Sequence, residues 1–150
     1  MADFKLSKSS KKNIKGVHNS IPILIDRVLK KSPHDFGIPS YGGIRTSQEQ
    51  NNLYHKKVGG RRITQLDGFK RKSYHQTGMA FDIFLFDEHG ACWDCVKKYD
   101  ELAILFKEEF ELMKKEQREN DIDCWFEDGE NLFWGGDWKR FIDRPHFEIR

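Results

Sequence analysis

Ile21, Leu24, Ile25, Val28 and Leu29 repeat at the i, i+3, i+4, i+7, i+8 spacing of one helical face. Asn19 or Ser20 stands where an N-cap belongs, and Ser32-Pro33 predicts the end of that helix. A longer apolar side, carried by Tyr99, Leu102, Ala103, Leu105, Phe106, Phe110 and Met113, predicts a helix over 97–118. A further helix is expected to start at Thr46 or Ser47 and to finish by Gly59-Gly60. Both Thr46 with Glu49 and Ser47 with Gln50 have capping-box spacing. A strand or extended turn ending near Gly42-Gly43 is expected at 36–44, and strands at 80–86, 122–126, 132–134 and 145–149. Residues 59–73 carry glycine and basic side chains without a period, which reads as a long surface loop. Residues 1–13 read as a loose basic lead-in. Helices and strands do not alternate strictly, so the expected class is α+β, a small antiparallel sheet with flanking helices.

With 150 residues, no repeat and no linker rich in Pro, Gly or Ser, a single domain over 1–150 is expected. Aromatic residues make up 13% of the chain, enough to build one core despite the 33% charged content. No apolar run is long enough for a transmembrane helix, so no stable membrane insertion is expected. No secretory leader is visible, which points to synthesis in the cytoplasm. Three cysteines are too few, and odd in number, for a disulfide framework, and free thiols are expected. Cys92-Trp93-Asp94-Cys95 leaves open half of a structural metal site, its two further ligands supplied by Cys124 and His89, or a redox pair.

The net charge of +2 conceals a segregation. Residues 1–72 hold 16 Lys/Arg against 5 Asp/Glu, whereas residues 100–130 hold 4 against 12. The basic half suits an anionic partner such as a nucleic acid, a cell-wall polymer or an anionic membrane surface. The acidic segment is expected at the surface. Aromatics do not interleave with the basic residues as on an RNA-stacking sheet, so no nucleic-acid partner is expected.

Asp82 sits inside an apolar strand pattern, where an unpaired carboxylate costs several kcal/mol. His75 lies seven residues earlier, with Gly78 between to turn the chain, and His146 lies in the last strand. Two histidines and one aspartate form a catalytic type of zinc set: three protein ligands and a fourth position for water. One Zn2+ ion there would lower the pKa of that water toward about 7 and polarise a carbonyl. Asp143, three residues before His146, is placed to act as the base. Arg45, after Gly42-Gly43, offers paired donors to a substrate carboxylate or an oxyanion. No phosphate loop, HExxH, GxSxG or GxGxxG pattern is present.

Residues 73–82 (SYHQTGMAFD) resemble the SxHxxGxAxD motif of the D-Ala-D-Ala metallopeptidase group, part of the lysostaphin/D-Ala-D-Ala/hedgehog zinc fold. The WGGDW run at 134–138 and FIDRPHFE at 141–148 resemble L-alanyl-D-glutamate endopeptidases of the phage endolysin type. Asn13–His18, Asp35–Ile38 and Gly43–Thr46 fit the same pattern, so the resemblance spans roughly residues 9–149. It implies zinc in a cleft on the sheet held by His75, Asp82 and His146, with Asp143 as catalytic carboxylate and Arg45 on the substrate. It also implies hydrolysis of the stem peptide of peptidoglycan after L-alanine. The alternatives are a D,D-carboxypeptidase or dipeptidase acting on D-Ala-D-Ala ends, and a non-catalytic zinc-binding module. An endolysin without a separate wall-binding module, a monomer, acting on the wall in the periplasm or outside after release, completes the expectation. The long acidic stretch between Lys98 and Trp134 and the Cys92/Cys95 pair depart from common members.

Overall fold

The computed structural model describes residues 3–122 and 124–150. Among them the helices are α1 (Lys8–Asn13), α2 (Ser20–Lys31), α3 (Ser47–His55) and α4 (Val96–Glu119). The strands are β1 (Phe36–Gly37), β2 (Lys57–Val58), β3 (Arg61–Arg62), β4 (Ala80–Asp82), β5 (Phe84–Asp87), β6 (Gly90–Cys92), β7 (Leu132–Trp134) and β8 (His146–Ile149). The class is α+β, with antiparallel sheets ordered β1-β5-β6 and β4-β8-β7 and a separate β2-β3 hairpin.

Helices α2 and α4 pack against each other and cover the sheets. The periodic residues Ile21, Leu24, Ile25, Val28 and Leu29 are all buried, as the spacing predicts. Phe106 of α4 is the hub of the core. Its ring centroid lies 5.6 Å from Phe36, 5.5 Å from Phe81 and 4.5 Å from Phe147, tying both sheets to one helix. Helix α3 starts with the Thr46–Glu49 capping box, which satisfies two end N–H groups reciprocally.

Several expectations are corrected. The lead-in is not loose throughout, because residues 8–13 form α1. Ser7 caps that helix, Leu6 and Ile14 enter the core, and the Ser10 hydroxyl accepts the Ile38 N–H at 2.9 Å. Six residues are too few to display a helical period, so the pattern was silent. The strand or extended turn expected at 36–44 is both: it pairs only over Phe36–Gly37, and Pro39 and Gly42-Gly43 then turn the chain away. The apolar run 80–86 is two strands in different sheets. After Asp82 the chain crosses over, with the Ile83 N–H donated to the Pro145 carbonyl at 2.9 Å.

No strand forms at 122 or 124–126, and Asp123 lies outside the described residues. The Gln117 side chain instead clamps the backbone of Phe126 on both sides at 2.9 Å. The acidic segment is not simply surface, because Glu109 is buried between α4 and α2. Cys92 and Cys95 are joined by a disulfide at the β6–α4 junction, leaving only Cys124 free among the described cysteines. Free thiols at 92 and 95, and a metal held there together with Cys124 and His89, therefore do not form. The short x-x spacing brings the two Cα atoms to 5.9 Å, within bridging range.

Candidate metal centre

Asp82 closes β4 and His146 opens β8, and the register pairs them directly across the ladder. Directly opposed residues sit close enough to share an ion, so strand pairing alone brings residues 64 positions apart to one point. His75 arrives from a short 3-10 turn over Tyr74–Thr77. Ser73 caps that turn, its hydroxyl accepting the His75 N–H, while the Gln76 side chain returns to the Ser73 N–H. Gly78 ends the turn at φ 75°, a left-handed conformation that a side chain would strain. The motif positions Ser73 and Gly78 thus have a structural duty, which is to aim His75.

The three functional atoms meet. His75 Nε2 lies 3.2 Å from Asp82 Oδ1 and 3.1 Å from His146 Nδ1, and His146 Nδ1 lies 3.0 Å from the same oxygen. The far nitrogens are already engaged. His75 Nδ1 is 2.7 Å from the Gly43 carbonyl, and His146 Nε2 is 2.8 Å from Glu148 Oε1. Both partners are acceptors, so each outer nitrogen carries the proton and, in the neutral ring, the inner nitrogen presents a lone pair. Two lone pairs and a carboxylate oxygen then face one another in a buried space. Three acceptors in mutual contact require a positive charge between them, and the donor set fits zinc.

The electrostatics agree. Burial works to raise the Asp82 pKa, but His75, His146 and Arg45 outweigh it and hold the carboxyl well below its usual range. Burial lowers His75 against the pull of Asp82. Burial also opposes charge on His146, yet hydrogen bonds to Asp82 and Glu148 prevail and push it up to about 9. A proton on His146 supplies the missing positive charge in the metal-free chain, so proton and metal compete for one place.

Arg45 is not free. Its Nη2 donates to Asp82 Oδ2 at 2.8 Å, Nη1 to Gln50 Oε1 at 2.9 Å and Nε to the Tyr41 carbonyl at 2.6 Å. The guanidinium expected to hold substrate therefore also fixes the second oxygen of Asp82. It lines a cleft of about 460 Å3 with Thr46, Ser47, Lys72 and Thr77.

Asp143 is half-buried on the approach to β8, its backbone N–H donated to Gly135. A side chain at Gly135 would collide with the Asp143 carbonyl, so Gly135 permits that approach. Burial, then the Asp82 charge, raises the Asp143 carboxyl to about 7, against the pull of His146 and Arg45. A carboxyl poised there exchanges protons readily at neutral pH.

Two participants stand in the quoted motifs but received no role from the sequence. Glu148 orients His146 and is itself held by Arg150 Nε at 2.8 Å. Glu148 lies two residues from His146, on the same strand face, and that period-two position was the available signal. Trp138 lays its ring 5.1 Å from that of His146.

The chain is similar to known proteins. Residues 67–149 match the family described as D-alanyl-D-alanine carboxypeptidase, which is zinc-dependent in general. The chain is 31% identical over 115 residues to the peptidoglycan L-alanyl-D-glutamate endopeptidase CwlK of Bacillus subtilis (strain 168). That match covers 71% of this chain and 57% of CwlK, so the chain spans a little over half of that relative. The fold matches the crystal structure of the Serratia marcescens L-Ala D-Glu endopeptidase ChiX with a TM-score of 0.64 at 23% identity, over 99% of this chain and 91% of that one. With the His/Asp/His cluster inside the matched region, the chain belongs to the D-alanyl-D-alanine carboxypeptidase family of metallopeptidases.

Proposed function

We propose that the chain is a zinc-dependent peptidoglycan hydrolase that cleaves the L-alanyl-D-glutamate bond of the stem peptide. The convergence of His75 Nε2, His146 Nδ1 and Asp82 Oδ1, with both outer ring nitrogens already committed, carries the reading. His75, Asp82 and His146 would hold the zinc, which when bound activates a water and polarises the scissile carbonyl. Asp143 takes the proton from the attacking water and returns it to the leaving amine, a task suited to a carboxyl raised to about 7. Arg45 keeps Asp82 oriented, and with Lys72 it lends positive charge to the cleft wall for an anionic stem peptide.

The choice of bond rests on likeness to CwlK, whose name states that activity. A D,D-carboxypeptidase is the second reading, favoured by the description of the matched family. Digestion of isolated peptidoglycan separates them: new N-terminal D-glutamyl groups support the endopeptidase, and released D-alanine supports the carboxypeptidase. Absence of both products, with zinc bound, overturns the hydrolase reading. The proposal extends to an endolysin-like role, with synthesis in the cytoplasm and action on the wall after release. Lysis of cells only when the protein is supplied beyond the cytoplasmic membrane tests that part.

A further inference from the structure

Residues 56–72 hold seven Lys/Arg and a single acid, Asp67. All seven basic residues are exposed, and among the described residues none forms a salt bridge. Asp67 offsets only one of the seven charges and pairs with none of them, its Oδ1 accepting instead the backbone N–H groups of Phe69, Lys70 and Arg71 at 3.2, 3.0 and 2.8 Å. The acid is consumed in shaping a turn that holds Phe69 out, 56% exposed. The β2–β3 hairpin does the same with Val58, which is 62% exposed. Its tip, Gly59-Gly60, stands in open space, with nothing within 4 Å of a side chain added at either glycine.

Both projections hang from α3. Arg62 stacks on Tyr54 at 3.9 Å and donates to its carbonyl, while Gln50 and Asn51 donate to the carbonyls of Leu66 and Asp67. Exposed apolar tips flanked by unpaired cations match the surface of an anionic bilayer. Cations are drawn to the headgroups, and Val58 and Phe69 reach the apolar layer beneath. A hydrated wall polysaccharide or a nucleic acid would use the charge, but an aliphatic tip such as Val58 would gain nothing from it.

We propose that the hairpin and the 67–71 turn form a peripheral docking surface for anionic phospholipid membranes. The contact is reversible, and no segment spans the bilayer.

Co-sedimentation with vesicles tests this directly. One set holds equal parts phosphatidylglycerol and phosphatidylcholine, the other phosphatidylcholine alone. The full chain should pellet with the first and not the second, and added salt should release it. Lys57→Glu with Arg61→Glu should weaken partition at least about tenfold, given roughly 1 kcal/mol per surface cation. Val58→Ser with Phe69→Ser leaves the charge unchanged and should still weaken it severalfold. Lys57→Gln with Arg61→Gln serves if charge reversal disturbs the unfolding midpoint. Hydrolysis of a soluble muropeptide should be unaffected by any of these exposed substitutions. Failure of the parent chain to pellet with anionic vesicles overturns the proposal. So does undiminished pelleting of both double variants, or binding that moves to purified sacculi and leaves vesicles bare.

Discussion

Two charge clusters among the described residues, each set around a buried group, are built differently. Between α2 and α4, Glu109 accepts from Arg27 Nε at 3.0 Å and from Lys31, and Arg27 also makes a two-pronged contact with Glu116 at 2.7 and 3.1 Å. Two cations meet two anions, and no side chain there points at another of its own kind. At the β4–β8 junction the outer contacts close in the same way, through Gly43, Glu148, Arg150 and Arg45. The inner atoms of His75, Asp82 and His146 close only around a proton or a cation, since with neutral rings all three accept. A closed cluster welds helices together. An open one, held open by its surroundings, is a seat for a cation.

The largest effects should fall on the open cluster. His75→Ala or Asp82→Ala is expected to abolish both tight zinc binding, read by elemental analysis, and hydrolysis of isolated wall. Chelation should mimic both losses, and readdition of zinc should restore only the parent protein. Asp143→Asn should keep the zinc while lowering kcat about 10²–10⁴-fold. A normal turnover rate in that variant would remove Asp143 from the role of base.

Glu148→Ala and Glu109→Ala put the comparison to a symmetric test. Loss of Glu148 frees the His146 ring, and zinc affinity should fall about 10–100-fold, measured by competition with a chromogenic chelator. Loss of Glu109 should leave affinity and turnover alone. It should cost about 1–3 kcal/mol in urea unfolding, below the figure for a fully dry pair because Arg27 and Lys31 reach water.

A further effect is a pH slope. In the metal-free chain His146 is raised from 6.5 to about 9, so its protonated form stabilises the fold below pH 6.5. That contribution should drain away as pH rises through 9. Calorimetry across this window should show a falling melting temperature without zinc, while zinc affinity climbs as the competing proton departs. A flat profile would mean that His146 carries no proton in the empty cluster.

Much of this site was legible before folding. The apolar spacing of 21–29 and 99–113 requires helices, because only that geometry hides those residues on one side. Asp82 announced itself as a carboxylate in an apolar strand pattern, and His75, His146 and Asp143 followed from the same chemistry and from the family motif. Other features had no local signature. The split of 80–86 between two sheets depends on whether β1 or β8 lies alongside, which neighbouring residues do not state. The burial of Glu109 depends on Arg27 and Lys31 arriving from a helix about eighty positions away.

The amino-acid order by itself therefore determined which residues are ligand-like, where the long helices run, and which segments carry positive charge. Those properties are short-range, set by side-chain chemistry and the period of the backbone. Tertiary structure alone decided that the lone pairs of His75 and His146 face the same oxygen of Asp82, and that Arg45 is spent on that carboxylate. Each of these depends on strand register or on a partner brought from far along the chain, and a change of one position in the β4–β8 pairing would turn His146 to the opposite face.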